Sequence, residues 1–198
     1  MRNSLIIPIA IALTGSHAVA SNLVNDPSFE LGGVGWDFAS SAGSGGCGSI
    51  FGPDVGLTNA PHTGLSSAYK NCFMQGTGTI SQTVSTTIGH QYVIDFWISS
   101  NPFVSGTVTA TFAGVTLFSR SNPGEMPYAK QSTSVTATTS SAQFLLSGTL
   151  NGGTYFLDDV SITDTTPPVP EISTQVLTLL GLSTLYLTLS RRKSACRK

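Results

Sequence analysis

"HQYVIDFWIS", residues 90–99, decides how the rest of this chain is read. Tyr92, Ile94, Phe96 and Ile98 fall on one side of an extended backbone, and Val93, Asp95, Trp97 and Ser99 fall on the other. Successive side chains of a pleated strand point to opposite faces, so this alternation marks a strand with one buried side. Working outward, "GTISQTV" (residues 78–84) groups Ile80, Gln82 and Val84. "GTVTATFAG" (residues 106–114) sets Val108, Ala110 and Phe112 against Thr107, Thr109 and Thr111. "SAQFLLSG" and "TYFLDDVSI" complete a series rich in β-branched and aromatic residues, punctuated by Gly, Asn, Pro and Ser. No helical periodicity of useful length precedes the C-terminal tail. The expected fold is all-β, an antiparallel β-sandwich with jelly-roll architecture. Residues 39–53, "ASSAGSGGCGSIFGP", have little to bury and read as a long surface loop.

Both ends of the chain depart from this pattern. Arg2 precedes an apolar run, "LIIPIAIAL" (residues 5–13), and small residues follow at Ala18, Val19 and Ala20, the layout of a cleavable secretory signal. Cleavage is expected after Ala20, and the run is short for a second membrane anchor. At the other end, 19 residues from Ile172 to Ser190 would span roughly 28 Å as a helix, about the thickness of a hydrocarbon core. Their leucines fall on all sides, so no amphipathic stripe suggests a core helix. Arg191, Arg192, Lys193, Arg197 and Lys198 follow, and such a cluster stays on the cytoplasmic side. The organisation expected is therefore a signal peptide at 1–20, one β domain at 21–166, and a C-terminal segment at 167–198 containing a transmembrane helix near 172–190.

Residues 21–166 suffice for one hydrophobic core. Six of the nine cations sit in the terminal segments, leaving Lys70, Arg120 and Lys130 against nine acids, a balance of −6. No basic face for nucleic acid can form from three cations. Cys196 lies in the tail, so the domain keeps Cys47 and Cys72, which an oxidising compartment would join. Closing that loop would contribute roughly 3.5 kcal/mol on the chain-entropy model.

The order Val169-Pro170-Glu171, hydrophobic helix, basic tail resembles the PEP-CTERM sorting signal of Gram-negative bacteria, with Ile172 where that motif has its second proline. The resemblance implies Sec-dependent export, transient anchoring in the inner membrane, and processing by an exosortase-like protease, leaving the domain at the cell surface or in the extracellular matrix. An ordinary C-terminal membrane anchor is the alternative. Within the domain, "NLVNDPSFE" (22–30), Trp36, "PHTGLSSAY" (61–69), "ISQTVSTTIGHQYVIDFWI" (80–98) and "YFLDDVSI" (155–162) together resemble the galactose-binding-like jelly roll of many carbohydrate-binding modules. That likeness implies a polysaccharide-binding site and a structural calcium between the first and last strands, carried onto Glu30 and Asp159.

The residues themselves support both expectations without deciding them. Glu30 ends what reads as the first strand and Asp158-Asp159 lies in the last, so a sandwich can bring these carboxylates together. A hard cation would relieve their repulsion, although solvated strand-end acids would look the same. Trp97 and Asp95 share the face opposite the Tyr92/Phe96 core: an indole offers a stacking platform for a sugar ring and a carboxylate accepts its hydroxyls. Loops covering that face are the competing reading. Trp36 is open to both readings, core or ligand-facing, with core the commoner place for a tryptophan this early in a domain. His62, in "PHTG", and His90, in "IGHQ", read as surface histidines; no G-x-S-x-G elbow and no cleft-forming carboxylate pair is evident, so the chain is not read as an enzyme. The leading function is noncovalent polysaccharide binding, with a structural or adhesive matrix component as the rival.

Overall fold

The computed structural model describes residues 21–42, 55–58, 60–72 and 76–166; Cys47, the sorting motif Val169-Pro170-Glu171, and both expected terminal segments lie outside them. Nine strands follow in order: β1 (Asp37–Ala42), β2 (Val55–Thr58), β3 (Ser67–Cys72), β4 (Gly76–Ser85), β5 (Gln91–Ser100), β6 (Ser105–Phe112), β7 (Val115–Ser121), β8 (Met126–Thr136) and β9 (Ser141–Asp164). Every pairing is antiparallel. The described residues contain no helix.

Two five-stranded sheets share β9. Its first half pairs with β4 and β6, giving the order β1-β4-β9-β6-β7. Its second half pairs with β3 and β5, giving β2-β3-β9-β5-β8. The change of sheet falls at Asn151-Gly152-Gly153, a triplet that reads in the sequence as a turn between two strands. The chain instead runs on as one strand and bends there, a device by which strands pass between packed sheets. Gly153 has φ of +92°, and an added Cβ would meet Val104 N at 2.5 Å and Phe103 C at 2.6 Å. Only glycine lets the strand pass this close to the β5–β6 connection.

The inward faces meet in a core that follows the alternation of β5: Tyr92, Ile94, Phe96 and Ile98 are buried, as are Ile80, Val108, Ala110, Phe112, Phe144, Leu146, Leu157 and Ile162. Aromatic rings join the sheets, with Phe96 edge-on to Phe144 at 5.5 Å and Trp36 edge-on to Phe144 at 6.0 Å. Trp36 is core, its indole N–H donating to Asp26 O at 3.0 Å. Lys70 is also interior, fully buried on β3, its stem lying where a side chain at Gly78 would stand.

Three local expectations change. Residues 22–30 make no regular strand: only Asn22 bridges to Thr163, and Asp26 and Phe29 have positive φ. Asp26 is buried and accepts the backbone N–H of Leu31, Gly33 and Val34, so its carboxylate organises a turn where the sequence suggested extended chain. The expected loop at 39–53 begins later, since β1 runs to Ala42. Finally β7 and β8, absent from the expected set, add an edge strand to each sheet.

Candidate functional site: a clamped loop on an outward sheet face

The site is built on the outward face of β5, where β9 carries a bulge. Asp95 pairs with Ser161 but Trp97 with Asp158, so β9 has one residue extra, at Asp159, whose φ is +47°. A regular strand would send neighbouring side chains to opposite faces; the bulge re-aims one of them. Both Asp158 and Asp159 consequently reach the same loop, residues 60–67.

That loop is held by three carboxylates. Asp158 Oδ2 accepts the N–H of His62 at 2.7 Å and of Thr63 at 3.1 Å. Asp159 Oδ2 lies 2.7 Å from His62 Nδ1, and its Oδ1 accepts the Thr63 hydroxyl at 2.7 Å. Glu30 Oε1 accepts the N–H of Leu65 at 2.7 Å and of Ser66 at 2.8 Å. Gly64 sits between these anchors with φ of +69°, and a Cβ there would run into the Glu30 carboxylate. Tyr128 on β8 and Ser67 both donate to Ala60 O, at 2.8 and 2.9 Å.

The clamp lays the His62 ring flat on Trp97, centroids 3.8 Å apart and planes at 16°, with Tyr128 tilted against His62 at 5.4 Å. The stacking surface expected of Trp97 is thus covered by the chain's own loop, and His62, read as a surface histidine, is part of the cluster. Beside it, Asp95 Oδ2 pairs with Lys130 Nζ at 2.9 Å, while Asp95 Oδ1 is buried without a hydrogen-bond partner. Ser132 and Ser134 on β8 and Ser161 on β9 share this face.

The electrostatics follow the geometry. Burial pushes the Asp158 carboxyl above its ordinary range, against the N–H groups of Thr63, Asp159 and His62, and the Asp159 charge pushes the same way. Burial also works to raise Asp95, but the Ser132 hydroxyl and the Lys130 ammonium outweigh it and hold Asp95 below that range. The Tyr128 phenol is raised, by burial first and by the Asp158 and Asp159 charges after, against hydroxyls of Ser67 and Ser99.

Of the residues singled out by sequence, Trp97 and Asp95 lie together on this face, and Glu30 and Asp159 grip one loop from two ends. No cluster of three or more His, Cys, Asp or Glu side chains suited to a metal forms among the described residues. Cys72 ends β3, while Cys47 is outside the described residues.

No family model matches the chain, and no curated protein matches it in sequence. Solved structures do match in fold. The K3 cleaved adhesin domain of Lys-gingipain from Porphyromonas gingivalis is 15% identical, with a TM-score of 0.53 over 73% of this chain and 99% of that one. The C-terminal family 22 carbohydrate-binding module of Clostridium thermocellum Xyn10B is 10% identical, with a TM-score of 0.50 over 77% and 96%. What these structures share with the chain is an antiparallel β-sandwich fold. The enzymatically active domain of bacteriophage CBA120 tailspike protein 4 shares it at 12% identity and a TM-score of 0.54, over 71% of this chain but only 21% of that one. At such identities the likeness is one of architecture.

Proposed function

We propose that this domain binds polysaccharide noncovalently on the outward face of β5, β8 and β9, around the His62–Trp97–Tyr128 cluster. The observation that carries the reading is the His62–Trp97–Tyr128 aromatic cluster with the Asp95–Lys130 ion pair beside it on one outward face. Sugar rings present donors at their rims and C–H faces above and below, which suits an aromatic cluster flanked by a carboxylate and the Lys130 ammonium. The neighbouring carboxylates already hold the loop, so the reading is of a binding module and not of an acid–base catalyst. The jelly-roll likeness supports it, one similar structure being a carbohydrate-binding module.

A soluble-glycan panel titrated against the full chain tests this directly. Saturable binding weakened by Asp95→Ala and Trp97→Ala is expected; no binding to any glycan, with both variants indistinguishable from the parent, would favour the structural-matrix rival.

Calcium at the Glu30–Asp159 edge is proposed from the sequence resemblance alone, and the ion would compete with the loop contacts of Asp159 and Glu30 Oε1. Hard carboxylate oxygens suit the ion, and backbone carbonyls and water would complete its six to eight ligands. Export with exosortase-like trimming is proposed from the terminal sequences alone. Mass spectrometry of the mature protein should find an N-terminus near Ser21 and a C-terminus upstream of Ile172; two intact termini would overturn it.

A further inference from the structure

The outward face of the other sheet carries a pattern that the proposed site does not use. In register across β4, β9, β6 and β7, Thr77 faces Thr149, Thr149 faces Thr107, and Thr107 faces Ser121. Two residues along, Thr79, Ser147, Thr109 and Ser119 make a second row. All eight positions carry a hydroxyl. A third row continues with Ser81, Leu145 and Thr111. The intervening Ile80, Leu146, Val108 and Ala110 are buried in the core, so the first two rows point outward; Ser81 of the third is itself buried. Hydroxyls within the first row touch, Thr77 to Thr149 at 3.0 Å and Thr107 to Ser121 at 3.2 Å.

The rows also lack charge. β4, β6 and the first half of β9 contain no Asp, Glu, Lys or Arg. The one charged residue of β7, Arg120, pairs in register with buried Val108, and so belongs to the other side, where it reaches Met126 Sδ at 3.2 Å. β-propensity accounts for threonine on a strand. It does not account for four adjacent strands that place no charge on their outward face, when soluble surfaces ordinarily intersperse both signs and edge strands carry lysine against aggregation.

We infer that this face is a second polysaccharide-contact surface, and that the chain it takes is uncharged and soluble. The inference shares with the proposed function the premise of a carbohydrate-binding module, but it stands on a different face. Each hydroxyl both donates and accepts, so a grid spaced about 4.8 Å across strands and about 6.8 Å along them matches a ligand that is itself a network of hydroxyls. With no cation on the face, Asp37 exposed at its β1 edge in register with Ser81, and a domain balance of −6, a polyuronate or sulfated chain gains no ion pair and meets repulsion. Strand twist of roughly 20–25° per step turns each row away from the next, which a pliable single chain can follow and the flat surface of a crystalline polymer cannot.

The test is affinity electrophoresis of the full chain through gels containing xylan, galactan, mixed-linkage β-glucan or polygalacturonate, with a pull-down on crystalline cellulose. Exposed Thr149 and Ser119 are replaced together (Thr149→Glu with Ser119→Glu), and Thr149→Ser serves as the conservative control. Retardation by at least one neutral soluble polysaccharide is expected. The double variant should bind it roughly tenfold more weakly, the loss of about two net hydrogen bonds, with an unchanged melting curve, while Thr149→Ser keeps wild-type binding. A double variant that binds like wild type while Trp97→Ala does not would overturn this surface and leave the proposed site standing. Stronger retention by polygalacturonate or crystalline cellulose would overturn the ligand class, and no retention by any glycan would remove both readings. Should the double variant melt early, Thr107→Lys alone is read by the same criteria.

Discussion

Replacing Gly153 by alanine should damage the fold far more than its size suggests. The added methyl would lie 2.5 Å from Val104 N and 2.6 Å from both Phe103 C and Val104 Cα, all backbone atoms that cannot swing aside. The φ of +92° adds a conformational penalty of about 1–2 kcal/mol for an L-residue, and forced repacking adds about 1–3 kcal/mol. Together these give roughly 2–5 kcal/mol, a large part of the 5–15 kcal/mol that holds a typical domain folded. For a domain near 150 residues the melting temperature should fall by roughly 4–20 °C. Gly114→Ala is the matched control, with φ of +78° and nothing within 4 Å of its added Cβ, so it carries the conformational penalty alone. Thermal and urea unfolding of the full-length variants read the difference. If Gly153→Ala costs no more than Gly114→Ala, the close passage of β9 past residues 103–104 is not what shapes the bend, and the shared-strand architecture loses its stated cause.

Other consequences can be checked alongside. Phe144→Ala removes the ring that bridges Trp36 and Phe96 and should cost about 3–5 kcal/mol in denaturant titration; a loss under about 1 kcal/mol would contradict its place in the core. Two aspartates should tilt the acid limb of stability in opposite directions. Slight burial works to raise Asp164, but hydrogen bonds from His90 and Thr166 hold it below 3.8, so its contribution is complete above that pH and is lost as pH falls through the depressed folded value. Asp164→Asn should therefore flatten the low-pH decline of the melting temperature. Asp158 is raised by burial, so the native state keeps its proton at pH values where the unfolded chain has released it, and this group's contribution declines as pH rises from 3.8 through the raised value. Proton uptake on folding measured at pH values above 3.8 should accordingly drop in Asp158→Asn. For calcium, millimolar ion should raise the melting temperature and a chelator lower it, by mass action on the folded state; indifference to both, shared by Glu30→Gln, would sink the Glu30–Asp159 site.

The sandwich was legible where one face of a strand is buried and the other wet. β5 and β6 announce themselves because Tyr92 to Ile98 and Val108 to Phe112 alternate with polar partners. β7 and β8 do not: as edge strands they bury little, and "VTLFSRS" and "MPYAKQSTSVT" keep no clean period of two. β9 was legible in halves, since Gly152-Gly153 signals a turn locally, and only packing against residues 103–104 turns that signal into a bend. At the site, placing Trp97 opposite the core needed nothing beyond alternation. Covering it with His62 depends on contacts to Asp158 and Asp159 nearly a hundred positions away, together with a bulge that no local motif marks. Lys70 shows the same limit. Nothing local in the sequence marks it as buried, and it is Gly78 across the sandwich that opens the space taking its stem inside.

Isothermal titration of the full chain with a soluble neutral polysaccharide, repeated for Asp95→Ala and Trp97→Ala, tests the functional account most directly. The account predicts a saturable isotherm that little changes with added salt, because no ion pair carries it, and that weakens in both variants. Heats of dilution alone across the neutral panel, or an isotherm untouched by either substitution, would contradict it.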